Sequence, residues 1–363
     1  MVLVASGPRT DASEVSDQCR SSVHQPNEPR HMKILVTGGT GSFGRAFIGH
    51  CQEHHPEVTR LISLSRDEVK ADQIGDQFKT YHQFRAYLGH VRDYHRLCQA
   101  FYGTDVVVHA AALKRVNAHT DGGELIKTNV IGTMNVVNAC LACGVKQLVF
   151  ISSDKAVEAM NQYGKTKASA EGFVIGSNAY HPETFRASVV RYGNVLGSRG
   201  SVLQLWRKQQ QRGERLQITD TEMTRFWMPL SAAVELVWKA IDRQVGGEIF
   251  VPSLKSASVH DLMRTVVRQT GNFRELNASV IGIRAGGEKV HEVLLSTEEV
   301  TRTLYDSSCD LYIVPPSGPT WTQDAWAGKA VPSTYRYTSN APDRLMNDAQ
   351  LRSLIASADE QGY

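Results

Sequence analysis

The sequence predicts an α/β fold: a doubly wound parallel sheet, with a smaller C-terminal substrate domain interleaved with it. Three observations predict it. Near-continuous apolar runs alternate with helix-like segments through the first half, as expected of parallel strands covered on both faces. A glycine-rich turn joins the first apolar run to the first helix-like segment. The second half breaks the alternation, so some of its elements leave the sheet and return.

In order, Lys33–Gly39 (KILVTGG) reads as a strand and Ser42–His54 (SFGRAFIGHCQEH) as a helix. Arg60–Arg66 is a strand, Asp93–Gly103 a helix, and Asp105–Ala111 (DVVVHAA) a strand. Leu125–Gly144 is a helix and Gln147–Ser153 (QLVFISS) a strand. Ser188–Gly197 returns as a strand, and Gly200–Gly213 is a helix leading away from the sheet. Glu248–Ser253 is a further strand, followed by the helix Val259–Gly271. The turn-rich Asp306–Trp321 is expected to cover the surface. These readings divide the chain into a leader (1–32), a sheet domain (33–192, with later strands returning near 228–255), a second domain (193–227 and 256–333) and a C-terminal segment (334–363).

The chain has 363 residues, 41% of them hydrophobic, enough for a sizeable core. Lys plus Arg number 40 and Asp plus Glu 37, a balance that offers nucleic acid no basic surface. No run of about 18 apolar residues exists to span a membrane. The leader is rich in Ser, Pro, Asp and Glu, and its apolar part is too short for a secretion signal, so a cytoplasmic location is expected. Cys140 and Cys143 form a CxxC, but inside a helical pattern and without a second ligand pair, so they read as structural thiols and no metal is expected. His54–His55 reads as a surface loop.

Gly38, Gly41 and Gly44 stand in the first strand–helix turn, with Thr40, Ser42 and Phe43 between them. A turn free of side-chain obstruction lets backbone N–H groups approach a pyrophosphate at a helix N-terminus. In that context the pattern predicts a dinucleotide site and a Rossmann sheet. The second strand ends in Ser65-Arg66-Asp67. Arg66 is placed to pair with a 2′-phosphate and Ser65 to donate to it, which favours NADP. In the alternative, Arg66 points to solvent and Asp67 binds the ribose of NAD.

The strand ending in Ser152-Ser153-Asp154-Lys155 is followed by Tyr163 and Lys167. Tyr-x-x-x-Lys puts both side chains on one helical face. A lysine ammonium beside the phenol is expected to lower the Tyr pKa, and the phenolate can take a hydroxyl proton as hydride leaves for a nicotinamide. Ser153 can hydrogen-bond the same oxygen. Asp154 and Lys155 supply an acid and an amine that simple oxidation does not need. Protonated Asp154 and neutral Lys155 would be an acid–base pair for elimination, both requiring shifted pKa values. In the alternative, the two form a structural ion pair.

The segments VTGGTGSFG, LSRDEVK, HAAALKRV, KTNVIGT, SSDKA, YGKTK, RYGNVLGSRGSV, ITDTEMTRFW and GEKVHE, in this order, resemble the carbon-5-inverting UDP-N-acetylglucosamine 4,6-dehydratases of the extended short-chain dehydrogenase/reductase class, across residues 33–357. The resemblance implies that Lys155 is the elimination base and Asp154 the acid, with Tyr163 and Lys167 as the redox pair. It implies cofactor contacts at His90, Val91, Ala110, Lys114 and Arg199, and nucleotide-sugar contacts at Lys114, Asn194, Val202, Thr219, Arg225, Arg284 and Glu288. Arginines suit a UDP-sugar because its diphosphate can be clamped by guanidinium groups. The second domain is then the sugar-binding one, and a homo-oligomer is expected. Four places depart from the family pattern: His90 stands for its adenine-binding carboxylate, Arg115–His119 and Arg284–Lys289 differ from its runs, and Glu158 is expected to bring another carboxylate close to the site.

Overall fold

The computed structural model describes residues 31–114, 121–198, 200–269, 278–284, 286–318 and 325–360. Strand β1 (Met32–Thr37) begins within the segment read as leader, and its Ile34, Leu35 and Val36 have no exposed surface. Burial on both faces explains why this run is continuously apolar. After it come α1 (Ser42–His54), β2 (Val58–Ser65), α2 (Glu68–Gln77), β3 (Phe84–Leu88), α3 (Tyr94–Phe101) and β4 (Val106–His109). A short helix, α4 (Gly122–Leu125), runs through a π-helical stretch (Ile126–Ile131) into α5 (Gly132–Ala142). Then follow β5 (Gln147–Ile151), α6 (Gln162–Gly176) and β6 (Arg186–Val190). The six strands pair in parallel in the order β3-β2-β1-β4-β5-β6, so the strand order reverses between β1 and β4. Ligands of such sheets bind in the crevice at that reversal, beyond the carboxyl ends of the strands.

The rest of the chain is β7 (Asn194–Val195), α7 (Val202–Gln211), β8 (Leu216–Ile218), β9 (Thr224–Met228), α8 (Leu230–Arg243), β10 (Ile249–Pro252), β11 (Ser256–Ser258), α9 (Val259–Gln269), β12 (Ala278–Val280), β13 (Val293–Leu295), α10 (Thr297–Val300), β14 (Leu304–Asp306), β15 (Leu311–Val314), β16 (Lys329–Ala330), β17 (Tyr337–Thr338) and α11 (Asp348–Glu360). β10 returns parallel to β6, and β15, β14 and β16 extend the same sheet to ten strands. The segment 306–321, expected to cover the surface, therefore contributes β15, all four of whose residues are buried. Its turn-forming flanks, Asp-Ser-Ser-Cys-Asp and Pro-Pro-Ser-Gly, hide a short apolar run that pairs antiparallel with β10.

A separate core of Leu203, Trp206, Met223, Trp227, Leu262, Met263, Leu354 and Ile355 packs α7, α9 and α11 with β8 and β9. β7 pairs with β9, and β9 with β11, so the strand expected over 188–197 is split. Its first half belongs to the large sheet and Asn194–Val195 to the second unit. That split carries the chain across the crevice.

Candidate active site

The glycine turn is built as a cradle. Gly38 has φ +72, and a Cβ there would lie 2.9 Å from the Ala111 backbone. A Cβ on Gly44 would lie 2.4 Å from the Gly39 backbone, so the start of α1 packs directly on the turn. Gly41 caps α1 with no side-chain hydrogen bond, leaving the helix N–H groups to a ligand. Thr40 Oγ1 lies 2.7 Å from Ser65 Oγ, joining the turn to the end of β2. Ser42 and Phe43 open α1. These features fit a dinucleotide pyrophosphate.

Beyond β2, Arg66 is exposed, whereas Asp67 caps α2 by accepting from Lys70 N (3.1 Å) and ion-pairs with the Lys70 ammonium. His90 faces Arg66 and Arg92; burial and these two cations push its pKa down, and its Nδ1 accepts from Arg92 N at 3.1 Å. Val91 is buried under Gly132 of α5, and Ala110 follows β4 with its N–H donated to Thr37 O. Lys114 is exposed a few residues further on. Arg199 and Arg115–His119 lie outside the described residues.

β5 delivers the reactive groups. Ser153 Oγ donates to Asp154 Oδ1 (2.8 Å) and accepts from Lys155 N (3.2 Å), and it draws the Tyr163 pKa down. Lys155 Nζ donates to Asp154 Oδ1 (2.9 Å) and to Asn194 Oδ1 of β7 (3.3 Å), and it lies 3.2 Å from Glu292 Oε1. Asp154 is wholly buried, and burial raises its pKa; its Oδ2 has no hydrogen-bond partner among the described residues. Burial alone would lower the Lys155 pKa, but Asp154 and Glu292 outweigh it and the net shift is upward. The lysine therefore rests as an ammonium, contrary to the neutral amine expected of it.

The redox pair also departs from expectation. Asn161 caps α6 by accepting from Gly164 N, and Tyr163 and Lys167 share its first turns. Yet Lys167 Nζ donates to Ile151 O at 2.5 Å and sits 4.1 Å over the Phe150 ring, and burial lowers its pKa to about 7. The Tyr163 phenol is pushed up to about 12 by burial, with Lys155 pulling it down and Asp154 pushing it up. The cation that acts on the phenol is Lys155, which precedes α6, rather than the expected Lys167 within it.

Glu292 and Lys289 were not singled out in the sequence. Glu292, 2% exposed, lies just before β13, with Lys289 Nζ 3.1 Å from Oε2 and Arg225 Nε 3.6 Å from Oε1. Lys289 also donates to the carbonyls of Asp154 and Val157. Arg225 is buried and donates to the carbonyls of Thr224 and Val290, so it faces inward rather than outward to a diphosphate. Glu158, expected to bring the extra carboxylate, is exposed on a left-handed backbone (φ +48). Glu292 occupies that role instead. A pocket lined by Lys155, Met160, Asn161, Glu288, Lys289 and Glu292 opens beside the pair. Glu288 thus reaches the site, paired with Arg284. Val202 and Thr219 stand on the second unit, at the start of α7 and just after β8. His55 caps α1 and stacks on Trp238 of α8, so His54–His55 closes a helix rather than forming a loop.

The model of a family described as polysaccharide biosynthesis protein matches residues 34–312. The chain belongs to this family. It is 37% identical to a Campylobacter jejuni UDP-N-acetylglucosamine 4,6-dehydratase (inverting), over 89% of this chain and 96% of the relative. It is 34% identical to a UDP-glucose 4-epimerase of Rickettsia massiliae, over 90% of this chain and 96% of that one. The solved structure of Pen from Bacillus thuringiensis superposes with TM-score 0.82 at 29% identity, covering 92% of this chain and 99% of that one. A dTDP-glucose 4,6-dehydratase from Streptomyces venezuelae, solved with NAD bound, shares the fold at TM-score 0.64 and 19% identity, covering 71% of this chain and 86% of that one.

Proposed function

We propose that this protein is a nucleotide-sugar 4,6-dehydratase, a hydro-lyase that takes UDP-N-acetylglucosamine or a close relative and uses NADP. The observation that carries the proposal is the buried Asp154–Lys155 pair beside the Tyr163 phenol, at the carboxyl end of β5. Oxidation at carbon 4 needs a base for one hydroxyl proton, and a second acid–base pair has no part in it. The sequence relative named as an inverting dehydratase supports the same reading.

The glycine cradle of Gly38, Gly41 and Gly44 with Arg66 would hold NADP⁺, which would supply the acceptor for the carbon-4 hydride and the donor that gives it back at carbon 6. Tyr163 rests as a phenol, so its own proton first leaves to solvent, a loss that the Lys155 ammonium favours against burial; the phenolate then takes the carbon-4 hydroxyl proton. The resulting ketone makes the carbon-5 proton acidic. Moving one proton along the 2.9 Å Lys155–Asp154 bond turns the ammonium into an amine and the carboxylate into an acid. Lys155 then removes the carbon-5 proton while Asp154 protonates the departing carbon-6 hydroxyl, and water leaves; when hydride comes back to carbon 6, carbon 5 takes up a proton that has exchanged with solvent, which completes the 4-keto-6-deoxy sugar. The raised Asp154 pKa favours this shift, and Asn194 and Glu292 keep the amine in place.

The choice of NADP is supported by exposed Arg66 and by the engagement of Asp67 with Lys70. Ile126, Ile131 and Met134 are exposed near one another on the α4–α5 run, apolar surface that supports a homo-oligomer. Among the described residues no helix is long and apolar enough to cross a membrane. A cytoplasmic location belongs to the same proposal and is read by cell fractionation.

The test is incubation of the protein with NADP⁺ and UDP-N-acetylglucosamine, followed by mass spectrometry and NMR. Loss of one water with a new methyl at carbon 6 is the expected result. Unchanged mass with altered configuration would favour a 4-epimerase, the name carried by the Rickettsia relative. Loss of water without a methyl would mean a 5,6-ene product. No reaction would point to another substrate or to a noncatalytic NADP-binding role.

A further inference from the structure

Lys155 Nζ donates hydrogen bonds to Asp154 Oδ1 and Asn194 Oδ1, and it forms an ion pair with Glu292 Oε1 at 3.2 Å. Asp154 sits on the same short turn as the lysine, and Asn194 comes from β7. Glu292 arrives from much further along the chain, 137 residues after Lys155 by subtraction of their numbers. Its own backbone is clamped at both ends, since Glu292 N donates to Ser339 Oγ (2.8 Å) and Ser339 N donates to Glu292 O (2.9 Å). Its carboxylate is clamped too, by Lys289 and Arg225. Lys289 continues the connection into the carbonyls of Asp154 and Val157. A buried carboxylate with this many cations has one stable state, the anion.

We infer that Glu292 is a positioning residue for the elimination step: it holds Lys155 against Asp154 and keeps one proton on that pair. The inference rests on the reading of Asp154 and Lys155 as the acid–base pair. Working as such a pair requires one shared proton. With two protons the lysine cannot act as base, and with none the aspartate cannot act as acid. A fixed anion beside the pair opposes loss of the shared proton and also eases uptake of a second, so it raises both limits together. The groups facing the pair are Glu292 and Lys289 from the segment before β13, Glu288 from the same segment, Arg225 from β9 and Tyr163 from α6. Glu292 raises the pKa of both members, whereas Arg225 lowers that of Lys155. Held by three cations, Glu292 itself is brought down to about 2 against the effect of its burial, and so stays charged wherever the enzyme works.

The experiment is the pH dependence of kcat and KM for the full-length protein with NADP⁺ and UDP-N-acetylglucosamine, in Glu292→Gln, Glu292→Asp and Lys155→Ala. In Glu292→Gln both limbs of the kcat profile should move to lower pH by about one unit. Its kcat at the optimum should fall about tenfold with KM within a few-fold. Glu292→Asp keeps the charge, so its limbs should stay near those of the unaltered protein, with a smaller loss of kcat. Unmoved limbs in a folded Glu292→Gln would overturn the inference, as would equal losses in both variants without any shift. If Glu292→Gln does not fold, Glu292→Asp decides alone: reduced kcat on unmoved limbs supports the inference, and unchanged kcat overturns it. Lys155→Ala separates the two levels. If it still dehydrates, the reading of the pair falls and the inference with it; if it is inactive while Glu292→Gln keeps its limbs, only the inference falls.

Discussion

Two buried charge clusters sit within one molecule, and they are built for opposite purposes. In the first, Arg191 of the β6 edge is ringed by Glu171 of α6, Glu299 of α10 and the Leu294 carbonyl, and all five of its N–H donors are used, at 2.6–3.2 Å. In the second, Lys155 meets Asp154, Asn194 and Glu292. Both cations are fully engaged. The difference is that guanidinium does not give up a proton at working pH and ammonium can. Glu171 and Glu299 raise the Arg191 pKa further against its burial, so the first cluster is chemically inert. It ties α6, which carries Tyr163 and Lys167, to the capping box that begins α10. The second leaves Asp154 Oδ2 without a hydrogen-bond partner among the described residues, next to a pocket, and sets Lys155 Nζ 2.9 Å from Asp154 Oδ1, the bond along which the proposed mechanism passes a proton. A fully bonded arginine makes a fastener, whereas the proposed reactive centre is a lysine beside one carboxyl whose pKa burial has raised.

Two substitutions put that contrast to the sharpest use. Lys155→Ala should slow dehydration by about 100- to 10,000-fold, the usual cost of removing a general base. It should also stop deuterium incorporation at carbon 5 in heavy water while NADP⁺ still binds, which fluorescence titration of the nucleotide checks. A near-normal rate would make the lysine an ion-pair partner and nothing more. Arg191→Met should act on the fold instead. It leaves two buried carboxylates without their cation, a loss of about 3–5 kcal/mol in stability by chemical denaturation. If Arg191→Met were as stable as the unaltered chain but inactive, the division between fastener and reactive centre would collapse.

The legibility of these parts in the sequence follows the range of the contacts. The dinucleotide half is local: each strand, turn and helix is set by adjacent residues, so the glycine cradle and the strand ends that carry Ser65 and Ser153 were readable. β3 was passed over because it is an edge strand with a mostly exposed face and no apolar run. β15 was passed over because turn residues crowd both its ends. Tyr163 and Lys167 were correctly spaced on one helix, but spacing does not say where an amine points, and Lys167 turned to Ile151 O. Glu292 is hidden in the sequence for a different reason. It is one letter of GEKVHE, and its meaning comes from Lys155, Arg225 and Lys289 meeting it in space.

A smaller effect is expected at the cofactor. Arg66 is exposed, so its pairing with a 2′-phosphate is partly screened, and Arg66→Ala should weaken NADP⁺ binding by roughly ten- to a hundredfold while leaving NAD⁺ nearly unchanged. Calorimetry with both nucleotides reads the difference. Equal losses for the two would show that Arg66 does not see the 2′-phosphate, and NAD would become the better assignment.

The least of the expected effects concerns a buried group outside both clusters. His109, at the end of β4, has no exposed surface; its Nδ1 lies 2.6 Å from Thr37 Oγ1 of β1 and its Nε2 3.0 Å from Thr133 Oγ1 of α5. Burial, aided by Lys167, lowers its pKa to about 3. The unfolded chain would protonate the same ring near 6.5. Below that pH the unfolded state therefore binds a proton that the folded state refuses, and stability falls as pH falls, until the folded ring also protonates near 3. One such group sets a slope of at most about 1.4 kcal/mol per pH unit. His109→Gln keeps polar atoms for the two threonines and removes the titration. It should lose about 1–2 kcal/mol at neutral pH from imperfect hydrogen bonding, yet show a flatter decline between about pH 6 and 4. Denaturant melts at a series of pH values measure this directly. An unchanged slope would mean that the acid sensitivity of the fold comes from carboxylates such as Glu299, whose pKa Arg191 holds down against burial, and the inert cluster would then carry the pH dependence assigned here to His109.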